Sequence, residues 1–266
     1  MVEKMPILFI GHGSPMNIIS DNAFTRSLKN LGENLPKPEA ILVISAHWLT
    51  PGTRVLCNAH PKTIYDFYGF PEQLYRLKYS SPGYPELAVK ISKNLISHNV
   101  ECDYNWGYDH ASWAILKHIY PKADIPMIEL SLDYGFNDWR TKPIEYHYQL
   151  AKNLAFLRKE GILIIGSGNI VHNLRMIDYD IDAPTIEWAK RLDAEIKQRI
   201  IDKGHDSLIH IEKLGPNGRL GIPTWDHYLP MIYILALQDE HDSVKFVYEG
   251  FQHGTISMRC FQIGIE

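Results

Sequence analysis

Three times along this chain a short apolar run stops at a small residue and is followed by a histidine. Ile7-Leu8-Phe9-Ile10 leads into Gly11-His12-Gly13-Ser14-Pro15, and Ile41-Leu42-Val43-Ile44 into Ser45-Ala46-His47-Trp48. Ile162-Leu163-Ile164-Ile165 leads into Gly166-Ser167-Gly168-Asn169-Ile170-Val171-His172-Asn173. Runs that are apolar at every position, rather than at alternate ones, read as strands buried on both faces, and such strands belong to sheets with helices on each side. In open sheets of that kind ligands bind beyond the C-terminal ends of the strands. The three histidines fall there.

The rest of the chain fits that frame. Further strands are expected at Arg54–Asn58, Ile125–Ser131, Val244–Tyr248 and Ile256–Gln262. Helices are expected at Pro85–His98, at His110–Tyr120 behind a candidate Asp109 cap, and at Pro143–Lys159, Thr185–Lys203 and Asp226–Leu237. The pattern predicts an α/β fold: one central, mostly parallel or mixed sheet, covered by helices on both faces, with the site at the C-terminal ends of the strands. At 266 residues with 45% hydrophobic side chains, one large core over 1–266 is the better expectation than two. Pro51–Tyr84, rich in Tyr, Phe, Gly and Pro, reads as a long functional loop, and Gly204–Trp225 as a second irregular stretch.

Charge and cysteine content bound the setting. A net charge of −4 from 31 acidic and 27 basic residues offers no basic stripe for nucleic acid. The N-terminal apolar run Pro6–Ile10 is far too short to cross a membrane or serve as a signal. Three cysteines, Cys57, Cys102 and Cys260, form no CxxC pair, and their odd number argues against a disulfide framework. A cytoplasmic, reducing setting is therefore expected.

The chemical signal is the set of 13 histidines, several of them beside small or polar residues. A lone histidine after a strand is more often a hydrogen-bonded structural residue than a ligand. Three at matching positions reverse that preference, because ligands from different strands converge only where the fold brings strand ends together. Two more candidates stand near helix starts: His110 in Gly107-Tyr108-Asp109-His110-Ala111-Ser112-Trp113, and His227 in Thr224-Trp225-Asp226-His227-Tyr228-Leu229-Pro230. In both segments the aspartate as a simple helix cap is an equal alternative.

In this order, Gly11–Pro15, Ser45–Trp48, Asp109–Trp113, Gly168–Leu174 and Asp226–Pro230 resemble the motif set of the class III extradiol ring-cleavage dioxygenases, in particular the 4,5-DOPA dioxygenase branch. The resemblance runs from about residue 6 to the C-terminus. It implies one divalent metal held by His12, His47 and His227, with His172 as a catalytic base that could also be a fourth ligand, and His110 as an acid beside the oxygen site. The implied substrates are a catechol and O₂. One departure stands out, since the wider superfamily uses two histidines and a glutamate on iron, whereas the third position here is His227. Fe(II) is expected for dioxygenase activity, and an all-histidine set also suits Zn(II). A zinc hydrolase and a non-catalytic metal-binding protein are the alternatives on this scaffold. The Tyr65–Phe70 segment could wall an aromatic ring, and Arg175 or Arg259 could meet a substrate carboxylate.

Overall fold

A computed structural model describes residues 4–134 and 142–264. Among the described residues ten strands run β1 Ile7–Gly11, β2 Ala40–Thr50, β3 Arg54–Leu56, β4 Glu101–Asp103, β5 Met127–Asp133, β6 Ile162–Gly168, β7 Ser243–Tyr248, β8 Phe251–Gln252, β9 Ile256–Ser257 and β10 Cys260–Gly264. Eight of them form one sheet in the order β4-β3-β5-β2-β6-β1-β10-β7, and β8 pairs with β9 alone. The four middle strands β5, β2, β6 and β1 are mutually parallel, while β10 and β7 run antiparallel along one edge. The expected mixed sheet is present.

Alternation along β1 and along the first halves of β2 and β6 explains why their apolar runs are uninterrupted. Ile7 and Phe9, Leu42 and Ile44, and Ile162 and Ile164 join one core; Leu8 and Ile10, Ile41 and Val43, and Leu163 and Ile165 join the other. Successive side chains on a strand point to opposite faces, so a sheet with two covered faces needs no polar position. Each side chain so buried contributes about 1.5–3 kcal/mol of transfer free energy. Helices Pro85–Asn94, Ile144–Lys152, Glu187–Ile201 and Leu229–Ala236 supply the first core, and Ala23–Asn34 and His110–Ile119 the second.

Several local expectations change. Helix Ala23–Asn34 has no counterpart in the sequence reading, although Asn22 and Thr25 close a reciprocal capping box that marks its start. The expected strand Ile256–Gln262 is two short strands interrupted at Met258 and Arg259. The stretch Gly204–Trp225 contains three short helical pieces, His205–Ile209, Ile211–Leu214 and Gly215–Gly221. Asp109 occupies the N-cap position but makes no side-chain cap bond; its carboxylate accepts from Ser45 Oγ at 2.7 Å instead.

The cysteine expectation is overturned. Cys57 and Cys102, 45 residues apart in sequence, form a disulfide with Cα atoms 5.4 Å apart. They meet because β3 and β4 pair in parallel, placing Val55 opposite Cys102 and Leu56 opposite Asp103. An odd count misled because one pair forms and Cys260 stays free and buried. The cysteines therefore no longer argue for a reducing compartment.

The position of β6 depends on two residues without side chains. A Cβ on Gly166 would lie 2.4 Å from the Pro230 carbonyl oxygen, and one on Gly168 would lie 2.1 Å from that of His227. Both glycines let the segment before helix Leu229–Ala236 lie directly on the strand end. We expect Gly168→Ala to force that segment away at a cost of about 1–3 kcal/mol, the usual range for overpacking. Thermal denaturation should show Tm lowered by several degrees, and an unchanged Tm would show that the contact is not tight.

Candidate metal centre

Strand register brings the first two histidines to one level. Gly11 pairs with Gly168 across β1 and β6, and Ser45 with Ser167 across β2 and β6, so His12 and His47 follow neighbouring points of the sheet. His47 is not past the end of its strand, as the sequence suggested, but inside it. Ile44 pairs with Leu130 and Leu49 with Leu132, so Ser45, Ala46, His47 and Trp48 stand opposite Ser131 alone. That bulge lifts His47 out of the ladder and aims its ring at the site.

His227 arrives by a different route. It lies two residues before helix Leu229–Ala236, and its carbonyl oxygen accepts from Asn169 N at 2.9 Å, the contact that Gly168 permits. The three rings lie close, with centroids 5.2 Å apart for His12 and His47, 5.2 Å for His12 and His227, and 5.0 Å for His47 and His227. One nitrogen from each lies within 4.8 Å of the others, a spacing that could hold a metal ion. His172 stacks flat on His227 at 3.7 Å, and the His110 centroid is 4.1 Å from that of His47. The structure thus collects all five candidates at one place.

Each of the three central rings has its Nδ1 engaged. His227 Nδ1 meets Asp226 Oδ2 at 2.6 Å, and His47 Nδ1 meets Asp66 Oδ2 at 2.9 Å. His12 Nδ1 lies 3.1 Å from Ser167 Oγ, whose own hydrogen goes to the Ala111 carbonyl at 2.5 Å. Each partner can therefore only accept, so Nδ1 carries the hydrogen and Nε2 the lone pair. His47 Nε2 is buried without any hydrogen-bond partner. A buried imidazole nitrogen without a partner, facing two other rings, is the donor set that a divalent metal needs.

Burial disfavours the charged form of three of these imidazoles. His12 and His172 are held well below the ordinary 6.5, first by desolvation and then by neighbouring imidazoles. His227 is also lowered by burial, although Asp226 opposes the shift. Burial pushes the carboxyls of Asp66 and Asp226 upward, yet bonds from the histidines outweigh it and hold both well below the usual carboxylate range. Beneath them Asp109 and Glu129 form a fully buried acid pair. Desolvation and Asp66 raise Asp109 to about 6, and desolvation and Asp109 raise Glu129 well above its ordinary value. Burial and mutual repulsion disfavour charge on both carboxyls at once.

The sequence pattern of the family described as the catalytic LigB subunit of aromatic ring-opening dioxygenase matches residues 6–259. A protein of Escherichia coli (strain K12) named 4,5-DOPA dioxygenase extradiol is 42% identical over 266 residues, covering 98% of this chain and 95% of its own. A Beta vulgaris protein of the same name is 34% identical over 260 residues, covering 96% of this chain and 94% of its own. The chain belongs to the aromatic ring-opening dioxygenase family. A crystal structure of an uncharacterized protein from Escherichia coli K12 shares the dioxygenase's fold with a TM-score of 0.84 at 38% identity, covering 98% of this chain and all of that one.

Asp66 is the residue that sequence reasoning missed in the dioxygenase. It stood in a loop singled out for its aromatics, whereas Tyr65, Phe67, Phe70 and Tyr75 pack mainly on one another and on Trp113. Tyr68 is 92% exposed and walls nothing. Arg259 is spent on Asp193 and Glu249 and cannot meet a substrate, while Arg175 is exposed, three residues after His172. Of the remaining histidines, His60 and His241 are exposed, His147 is buried against Tyr233, and His253 is tied to the Asp178 carbonyl.

The depressed histidines make a pH prediction. In the unfolded chain these rings take up protons as pH falls through about 6.5. In the folded chain they stay neutral, so the unfolded state binds more protons and stability falls with pH. The raised Asp109 and Glu129 carboxyls pull the other way, but the lowered histidines outnumber them, so the urea midpoint of metal-free protein should fall from pH 6.5 to 5. A His12→Asn variant should show a shallower fall over the same interval.

Proposed function

We propose that this dioxygenase cleaves the ring of a catechol next to its diol, using one divalent metal held by His12, His47 and His227. The observation that carries the reading is the unpartnered, buried Nε2 of His47 facing two rings whose Nδ1 atoms are likewise engaged. The metal, Fe(II) in this reading, would supply chelation of the two catechol oxygens and a path for electron density from ring to O₂. Both oxygen atoms enter the product, and the carbon–carbon bond beside the diol opens. The names of the Escherichia coli and Beta vulgaris relatives point to DOPA, a catechol with an amino-acid tail. Arg175, exposed just beyond His172, is the remaining candidate for its carboxylate.

The histidines outside the ligand set move protons. His172 is half-buried, stacked on His227 and neutral, so it can accept the proton of a catechol hydroxyl lying over the site. His110, fixed through its Nδ1 by Asp66, presents Nε2 for a hydrogen bond or a proton at the oxygen side. The carboxylates nearest the site, Asp66 and Asp226, are occupied by imidazole Nδ1 atoms. The ligand set is therefore all histidine, which suits Zn(II) as well as Fe(II).

Anaerobic reconstitution with Fe(II) or Zn(II), followed by O₂ uptake and product absorbance on a catechol panel, separates the two metals. Uptake and a yellow ring-opened product with Fe(II) alone are expected; none with either metal overturns the proposal.

Metal content of variants separates ligand from base. His12→Ala and His47→Ala should lose the metal, because each removes one of three ligands. His172→Ala should keep it while kcat falls about 10²–10⁴-fold, the usual worth of a positioned acid or base. A His172→Ala protein as metal-poor as His12→Ala would make His172 a fourth ligand.

A further inference from the structure

Asp66 receives three hydrogen-bond donors. Its Oδ2 lies 2.9 Å from His47 Nδ1 and 2.8 Å from His110 Nδ1, and its Oδ1 accepts from the His110 backbone N at 2.8 Å. We propose that Asp66 is the positioning residue that fixes the tautomers of His47 and His110 together, so that the long loop carrying it completes the metal centre. This rests on the reading of His47 as a ligand. Only a carboxylate accepts on both oxygens, and only an acceptor on both sides leaves each Nδ1 protonated and each Nε2 bare. An amide in its place must fail one of the three donors. If its oxygen meets the rings, its NH₂ faces the His110 backbone N–H. If the oxygen meets that N–H, its NH₂ faces the rings and drives the hydrogen onto Nε2, where a metal cannot bind.

A second cation among His47, Asp66 and His110 is the rival use of the same atoms. Ligands about 2.1 Å from a tetrahedral ion stand roughly 3.4 Å from one another. The observed separations of 2.8 and 2.9 Å are those of charge-assisted hydrogen bonds, with room for a proton between the atoms and not for an ion.

The surroundings make Asp66 rigid. Tyr65 and Phe67 flank it; the Tyr65 ring packs edge-on against Trp113 at 6.0 Å, and the Phe67 ring against His110 at 5.5 Å. Tyr65 Oη donates to the Leu77 carbonyl at 2.5 Å, and Trp113 Nε1 donates to that of Ile64 at 2.9 Å. The loop is thus pinned on both sides of the carboxylate. Its entry point is pinned too, because Cys57 is bonded to Cys102.

The test uses the full chain and needs neither catechol nor O₂. Nitrogen-15 NMR of the wild-type protein loaded with Zn(II) should show Nδ1–H on both His47 and His110; a bare Nδ1 on either ring overturns the proposal without any variant. Competition against a chelator should show Asp66→Asn binding Zn(II) about 10–100-fold more weakly, the usual loss when a residue orienting a metal ligand is removed. The His110 spectrum of that variant should gain an Nε2–H form. Unchanged affinity in Asp66→Asn, with metal still lost from His47→Ala, overturns the proposal and leaves the metal reading standing. Metal kept by both His12→Ala and His47→Ala overturns the metal reading itself. Altered affinity and tautomers in a protein that opens no catechol ring would uphold Asp66's role and remove only the catechol assignment.

Discussion

Parallel pairing of β1, β6 and β2 is the constraint on which the rest of the molecule depends. Because the three strands run the same way in adjacent register, Gly11, Ser45 and Gly168 stand near one level, and the histidine segments that follow them start from neighbouring points. Two complete cores hold that register, since each strand commits alternate residues to each face and a slip of one residue would exchange the two sets. The histidines ride on the best-buried part of the protein. A site on rigid strands keeps its donors placed without help from the ligand, which lowers the entropy lost on binding.

Around this edge the polar groups form layers of opposite character. Burial penalises the charged form of His12, His172 and His227, and the carboxylates of Asp66 and Asp226 are held ionised by imidazole donors. Deeper still, Asp109 and Glu129 are buried too completely to hold two charges. Ser45 joins these layers, donating from Oγ to Asp109 while accepting from the His47 backbone N at 3.1 Å. A polar network of this depth costs desolvation at each member, and it persists where nearly every donor has an acceptor. Among the described residues of this network, His47 Nε2, Asp109 Oδ1 and Asp226 Oδ1 are unpartnered.

The two long loops do different work. Pro51–Tyr84 carries a carboxylate to the centre and is fastened by an aromatic cluster and a disulfide. Gly204–Trp225 folds into short helical turns and closes from the other side, where the Gly221 carbonyl accepts from His172 N at 2.8 Å and that of Leu220 from Asn173 Nδ2 at 2.7 Å. The base candidate is thus held from the side opposite Asp66, where it stacks on the ligand candidate His227.

The sequence by itself determined the sheet, its two covered faces, and the five histidines, because uninterrupted apolar runs leave few folds open and small residues beside a histidine mark the strand ends. It did not show Asp66, since an aspartate between aromatics has the same local pattern whether it faces water or two imidazoles. Nor did it show the Cys57–Cys102 bond, which comes from the pairing of two short strands whose cysteines lie 45 residues apart. The helix Ala23–Asn34 was legible in its capping box and passed over, whereas the bulge that turns His47 inward arises only from mispairing with β5. Local sequence records what each segment buries. Which donor meets which acceptor is decided by distances between segments, and those exist only once the chain is folded.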